Sequence, residues 1–367
     1  RVAEGPYATR RSNRNVYQRF TICVQQGTGP YGLFIAVDGV WAITGFAWSG
    51  LLIVWVVTFC IKRVGSLTTV ISSPTWQLIL VVWGTKYGVD ELNQLIEAAV
   101  ANTPNPPRVV MVSDRARPGL LPEVEVRMIP EFYLNPELMQ AGCQTKLAIF
   151  EEGVLPDDLP AIFVDIDTMV MGDLAQMLSL AVTPQNIVLF QSAVLPFGSF
   201  ARWLWTVTKT RRYARGNSSI IVFHPAHCGY VATRFRSLFA QHGGLNYRPM
   251  IADERFISWV AQPHMAAIPR RLAVKFPTEF MWSWRWFIYV RGAMPWNRRR
   301  WSRLTALTLP GLAFKGQDLV SLPEGTEMQD RKGRRLIWSA RALGPIKQMI
   351  INYYSPLDAD KKTGETL

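Results

Sequence analysis

The chain of 367 residues is long enough for one large or two ordinary domains with a sizeable core. Hydrophobic residues at 49% against 18% charged exclude disorder along most of it, and Lys+Arg 40 against Asp+Glu 27 leaves +13, which favours anionic partners without choosing a class. Cys23, Cys60, Cys143 and Cys228 stand far apart with no CxxC pair, which argues against a zinc ribbon or a disulfide framework and suits a reducing compartment.

From Gly39 to Ile61 no charged residue appears, and the stretch from Leu51 to Ile61 is densely apolar. A bilayer core needs about 20 such residues, so the run predicts one membrane helix over 39–61. Lys62 and Arg63 follow directly, whereas 20–38 carry no Lys or Arg, which keeps the downstream domain on the cytoplasmic side of a single-pass protein. The earlier cluster Arg10, Arg11, Arg14 and Arg19 argues the opposite way. The chain opens at Arg1 rather than Met; if the N-terminal segment is not native, the expectation becomes a cytoplasmic protein.

After Pro74 the character changes. Trp76 to Trp83 is a short apolar, β-branched run stopping at Gly84, which reads as a buried strand. Asp90 to Ala101 places Leu92, Leu95, Ile96 and Ala99 on one helical face, and Pro104, Pro106 and Pro107 end it. Arg108 to Asp114 and Val124 to Ile129 read as strands, Leu138 to Phe150 as a helix, and Ala161 to Asp165 as another buried strand. Strands alternating with helices predict an α/β fold, a mostly parallel sheet flanked by helices, with chemistry beyond the carboxyl ends of its strands at Gly84, Ser113-Asp114 and Asp165-Asp167. The boundaries expected are 1–75 for the N-terminal region, 76–320 for the α/β domain and 321–367 for a C-terminal extension.

The strand from Ile162 delivers two carboxylates, Asp165 and Asp167, one residue apart at its exit. Were strand geometry to persist, both would point to one side and repel unless a cation lay beside them. Carboxylate oxygens suit Mg²⁺ or Mn²⁺, ions that keep coordination sites for substrate phosphates. A solvated Asp-rich turn is the bland alternative. Thr168 and the Gly172-Asp173-Leu174 turn favour the functional one.

Val164 to Leu174 resembles the DxD segment of nucleotide-sugar glycosyltransferases of the GT-A fold, particularly the glycogenin-like family 8 group and its bacterial relatives. Val82 to Gly88, Lys146 to Phe150, Asn217 to Phe223 and, more loosely, Ala252 to Ile257 resemble further segments of that family in the same order. The resemblance implies a hexosyltransferase-type enzyme moving a sugar, with retention, from a nucleoside-diphosphate sugar, foremost a UDP-sugar, to a saccharide, lipid or protein acceptor. Asp165 and Asp167 would hold Mn²⁺ or Mg²⁺. Gly84, Thr85, Tyr87, Lys146 and Asn217 would bind the donor, and Asp253 and Glu254 would be catalytic. Two positions depart from the pattern. Glu254 stands where the family has an amide, and Lys315 in Phe314-Lys-Gly316 stands where a metal-binding histidine is expected. A protonated lysine ligates no metal, but it can contact phosphate directly.

Other readings have less support. His224, His227 and Cys228 surround a proline with no partner pair at metal-ligand spacing. No G-x-S-x-G, P-loop or G-x-G-x-x-G signature occurs. Trp282 to Arg303 interleaves aromatics with arginines and no acid; the plain reading is a partly buried aromatic segment with a solvated basic loop, and the functional one an anionic membrane interface or a phosphorylated acceptor ahead of nucleic acid, which is not an expected partner. Two alternatives remain open: a haloacid-dehalogenase-like phosphatase with Asp165 as nucleophile, and a non-catalytic membrane-tethered protein binding nucleotide or lipid.

Overall fold

The structure is a computed structural model of the chain. It describes residues 73–140, 142–191, 195–309 and 315–364, with backbone alone for 356–364 and for two earlier strands, 32–37 and 40–45. Arg1–Ile71 and Ser72–Leu367 form two compact units. In the first, β1 (Gly32–Val37) pairs antiparallel with β2 (Val40–Gly45). The start of the stretch expected to be a membrane helix is therefore a strand, and 46–61 lie outside the described residues. Among the described residues no helix is long and apolar enough to cross a membrane.

The second unit is built on a seven-stranded sheet. In chain order its strands are β3 (Gln77–Val82), β4 (Arg108–Ser113), β5 (Val124–Met128), β6 (Ala161–Val164), β8 (Ile187–Gln191), β9 (Gly216–Phe223) and β10 (Met265–Ala267); the intervening β7 (Thr168–Val170) belongs elsewhere. The spatial order is β10-β8-β9-β6-β3-β4-β5. Strands β6, β3, β4 and β5 run parallel, as does β10 with β8, while β9 is antiparallel to both its neighbours. The sheet is thus mixed, with parallel pairings in the majority.

Period-two alternation divides the apolar residues between two faces. Ile79 and Val81 of β3 pack with Phe163, Phe223, Phe235 and Phe256 on one side. Leu78, Leu80 and Val82 pack with Leu92, Leu95 and Ile96 of the Val89–Ala101 helix on the other. That helix has the buried face its spacing predicts. The segment Leu138 to Phe150 departs from expectation, because only Gln144–Phe150 is helical, as a 3-10 turn sequence. Cys143 adopts φ 55°, and a side chain on Gly142 would strike Gln144, so the chain reverses where a continuous helix was expected.

A second sheet orders β11 (Ala273–Lys275), β12 (Ala306–Thr308) and β7, with β11 parallel to β12 and β12 antiparallel to β7. Behind it, Trp338, Leu343 and Ile346 share a core with Met169, Val274 and Leu307. The segment expected as a C-terminal extension therefore packs directly against the strand that leaves the aspartate turn.

Candidate active site

Strand β6 stops at Val164, and Asp165 to Asp167 turn the chain into β7, closed by the Thr168 N–H donating to the Asp165 carbonyl at 2.9 Å. The Asp165 N–H donates to Ser219 of β9 at 2.8 Å, and the Leu309 N–H donates to the Asp167 carbonyl at 2.8 Å. Paired hydroxyls of Thr168 and Thr308, 3.0 Å apart, fix the exit. Both backbones are tied to separate sheets, so strand geometry does not persist through the turn and each carboxylate has its own partners.

Asp165 Oδ1 lies 2.6 Å from Lys146 Nζ, and the same ammonium lies 3.8 Å from Asp253 Oδ2. Burial works against this charged lysine, but Asp165 and Asp253 outweigh it and hold its pKa well above the usual lysine range. Asp253 also accepts from the Ser218 hydroxyl at 2.7 Å; burial nevertheless pushes its carboxyl up. Next to it, Glu254 Oε2 accepts from Asn217 Nδ2 at 2.7 Å, and Asn217 Oδ1 accepts from the Ser219 hydroxyl at 2.7 Å. Four segments far apart in the sequence thus converge on one cluster, which contains Asp165, Lys146, Asn217, Asp253 and Glu254.

Asp167 has a different set of partners. Burial pushes its carboxyl above the usual range, offset in part by Lys86 Nζ at 3.8 Å and by a hydrogen bond from the Tyr87 hydroxyl, while the Asp165 charge adds to the upward shift. Tyr87, Asp167, Lys315, Gln317, Tyr353 and Tyr354 line a cleft. Glu91 also borders it, receiving Gln317 Nε2 at 3.2 Å while capping its own helix through the Gly88 N–H at 2.9 Å. Lys315, which stands where a histidine ligand was expected, therefore shares this cleft with Asp167.

At the ends of β3 and β4, Gly84 takes φ +66° and donates its N–H to Asp114 Oδ2 at 3.1 Å. Arg117, nearly buried, bonds Asp114 at 3.0 Å, the Gly84 carbonyl at 2.9 Å and the Ser113 hydroxyl at 3.0 Å. Thr85 is exposed in the turn between. Sequence reasoning passed over Arg117 and Lys275. Lys275 ends β11, and burial lowers its pKa although Glu254, Asp165 and Asp253 pull upward. Its only signal in the sequence is a lone cation between Val274 and Phe276, which does not reveal that the second sheet brings it to the cluster.

A hard divalent cation fits the aspartate pair. Asp167 is a half-buried carboxylate repelled by Asp165 and only partly compensated, and two carboxylates completed by water and phosphate oxygens are a usual set for such an ion. Among the described residues no group of three His, Cys, Asp or Glu side chains is placed to hold a metal by itself.

No protein-family model matches the sequence, and no curated protein matches it. Solved structures do align with it. A galactosyltransferase, LgtC, crystallised with donor and acceptor sugar analogues, is 13% identical over 66% of this chain and 89% of its own, with TM-score 0.44. The bifunctional glycosyltransferase WbbM is 11% identical over 77% of this chain and 52% of its own, with TM-score 0.46. Mouse xyloside xylosyltransferase 1 is 10% identical over 64% of this chain and 97% of its own, with TM-score 0.38. Likenesses this distant carry no argument about chemistry, which rests on the side chains assembled around Asp165 and Asp167.

Proposed function

We propose that the chain is a glycosyltransferase that moves a sugar from a nucleoside-diphosphate sugar, a UDP-sugar first, to a saccharide, lipid or protein acceptor. The observation that carries this reading is the convergence of Asp165, Lys146, Asn217, Asp253 and Glu254 beside a cleft that also holds Asp167 and Lys315. One end of the arrangement suits a diphosphate and the other a sugar. Mn²⁺ or Mg²⁺ on Asp165 and Asp167, when bound, offsets the negative charge that grows on the departing diphosphate.

The chain's own residues supply the rest. Lys86, with its Nζ 3.8 Å from Asp167, and Lys315, which lines the cleft, supply the cations that bind phosphate oxygens. Asn217 holds the Glu254 carboxylate by its Oε2, and that carboxylate stabilises positive charge at the anomeric carbon, consistent with retention. Lys146 pairs with both Asp165 and Asp253 and orients their carboxylates. Donor contacts at Gly84 and Tyr87 belong to the same reading. The phosphatase alternative is less well served, since it needs Asp165 poised for attack whereas its Oδ1 is ion-paired with Lys146.

The test is a thermal-shift panel of nucleoside diphosphates with and without Mn²⁺, followed by donor hydrolysis. Metal-dependent stabilisation by one nucleotide and release of its diphosphate from the matching sugar are expected. Absence of both across the panel, or release of phosphate from generic phosphoesters, overturns the reading.

A further inference from the structure

Between strands β8 and β9 the chain forms a surface helix, Ser199–Val207. Ala201 on it is fully buried, and Leu204 and Trp205 are half-buried, so the helix is docked on the body by one side. Phe200, Trp203 and Val207 are not. They are 62%, 58% and 53% exposed and recur at the three- and four-residue steps that form a single stripe on a helix. The Phe200 and Trp203 rings lie 5.7 Å apart and stacked, which makes the stripe a continuous apolar surface facing water.

The surroundings of the stripe are cationic. Arg202, Lys209, Arg211 and Arg212 are all exposed, and no Asp or Glu occurs anywhere between Asp173 and Asp253. Among the described residues none of these four has an acidic partner. Lys209 and Thr210 have left-handed backbone directly after the helix, and the N–H groups of Thr210, Arg211 and Arg212 donate back to Trp205 and Thr208, which keeps the basic residues at the helix end. Apolar surface alone would suit several occupants, but the charge discriminates. A second copy would set these arginines against their like, whereas an anionic surface satisfies them.

We propose that Ser199–Val207 is an interfacial helix that docks on an anionic lipid bilayer. Phe200, Trp203 and Val207 enter the boundary between headgroups and acyl chains, and Arg202, Lys209, Arg211 and Arg212 meet lipid phosphates. After the basic turn the chain enters β9, whose Asn217 belongs to the cluster described above, so docking brings that cluster close to the headgroups. The inference stands on this surface alone and does not depend on the transferase reading.

The test is amide hydrogen exchange on the full chain, read at the peptide covering 199–212, which separates this helix from anything the N-terminal region does. Vesicles of equal parts phosphatidylcholine and phosphatidylglycerol are expected to slow exchange there, and phosphatidylcholine alone is not. The doubly substituted Phe200→Ser, Trp203→Ser chain is expected to lose the slowing while keeping its exchange pattern in β3 and β6. The same slowing without vesicles, growing with protein concentration, would overturn the proposal in favour of a second copy. Slowing by single-stranded RNA but not by vesicles, or no slowing by either vesicle, would also overturn it.

Discussion

Lys146 Nζ stands 2.6 Å from Asp165 Oδ1, and that ion pair joins the aspartate turn to the cluster around Asp253. Both side chains are largely buried, so removing the lysine leaves the Asp165 and Asp253 carboxylates without the cation they share. Lys146→Met is expected to cost about 3 kcal/mol in urea unfolding, near the lower end for breaking a buried pair. The sign of its pH dependence follows from the raised lysine pKa. The stabilisation is fully present below the ordinary lysine value, about 10.4, and is lost as pH rises above it through the folded value. The gap between wild type and variant should therefore hold from neutral pH to about 10 and narrow beyond it. A gap that is absent at neutral pH would show that the pair contributes nothing.

Asp114 titrates in the opposite sense. Burial opposes its ionisation, but the Arg115 hydrogen bond, the Gly84 N–H and the charges of Arg115 and Arg117 prevail and hold the carboxyl below its usual range. A depressed carboxylate contributes stability above its unfolded pKa, about 3.9, that disappears as pH falls through the folded value. Asp114→Asn is expected to lower the melting temperature at neutral pH, because it also removes the negative charge paired with the nearly buried Arg117. The two proteins should converge as the pH drops below about 4. Calorimetry across that range decides it, and a constant difference would refute the account.

Glu279 is almost fully buried and accepts from Arg270 at 2.8 Å, Arg291 at 2.6 Å, Trp301 Nε1 at 3.1 Å and, in addition, Arg300. One carboxylate organises three guanidinium groups beneath the Arg285–Ala293 and Pro295–Trp301 helices. Glu279→Gln keeps the shape and removes the charge, so a loss of about 3–5 kcal/mol is expected from chemical denaturation. A change under about 1 kcal/mol would mean that the arginines are well solvated without it.

How much of this was legible in the sequence depends on the range of the interaction. Strand β3 and the Val89–Ala101 helix were readable because periodicity is local and burial follows it. Asp165 and Asp167 were readable as a pair, but their separation into two environments was not. That separation depends on hydrogen bonds to Ser219 and Leu309, which come from strands and turns far along the chain. Arg117 and Lys275 carried no motif at all, since each matters only through where the sheets place it. The run from Leu138 misled because its apolar spacing suits a helix, while the left-handed Cys143 and the crowded Gly142 are set by the packing of Gln144.

Gly316 closes the cleft against the C-terminal helix, Pro345–Gly364. A Cβ there would lie 2.1 Å from the Tyr354 ring, and Tyr354 lines the same cleft as Asp167 and Lys315. Gly316→Ala must push the ring aside, at a cost of about 1–3 kcal/mol for overpacking. Because the displaced ring borders the cleft, nucleotide affinity should fall along with stability. Tyr354→Ala in the same chain removes the clash and should restore the backbone around Lys315. Titration calorimetry on the single and double variants checks this, and equal affinity in wild type and Gly316→Ala would separate the cleft from binding.

Glu254 is one of the two residues at which the chain departs from the pattern it resembles, and its exchange for an amide is the most informative single change. Glu254→Gln retains an oxygen for Asn217 Nδ2 to meet, and the fold should be undisturbed in melting temperature and hydrogen exchange. If the carboxylate stabilises positive charge at the anomeric carbon, that interaction is made chiefly in the transition state. It should then appear in kcat and leave KM nearly unchanged. A fall of about 10²-fold in kcat is the size expected for losing one positioned electrostatic group. Asn217→Ala frees Glu254 from its anchor and should lower kcat by less, with a partial effect in the double variant because the two residues act together. Undiminished turnover by Glu254→Gln would mean that an amide suffices at this position, and the charge on Glu254 would then have no part in the chemistry.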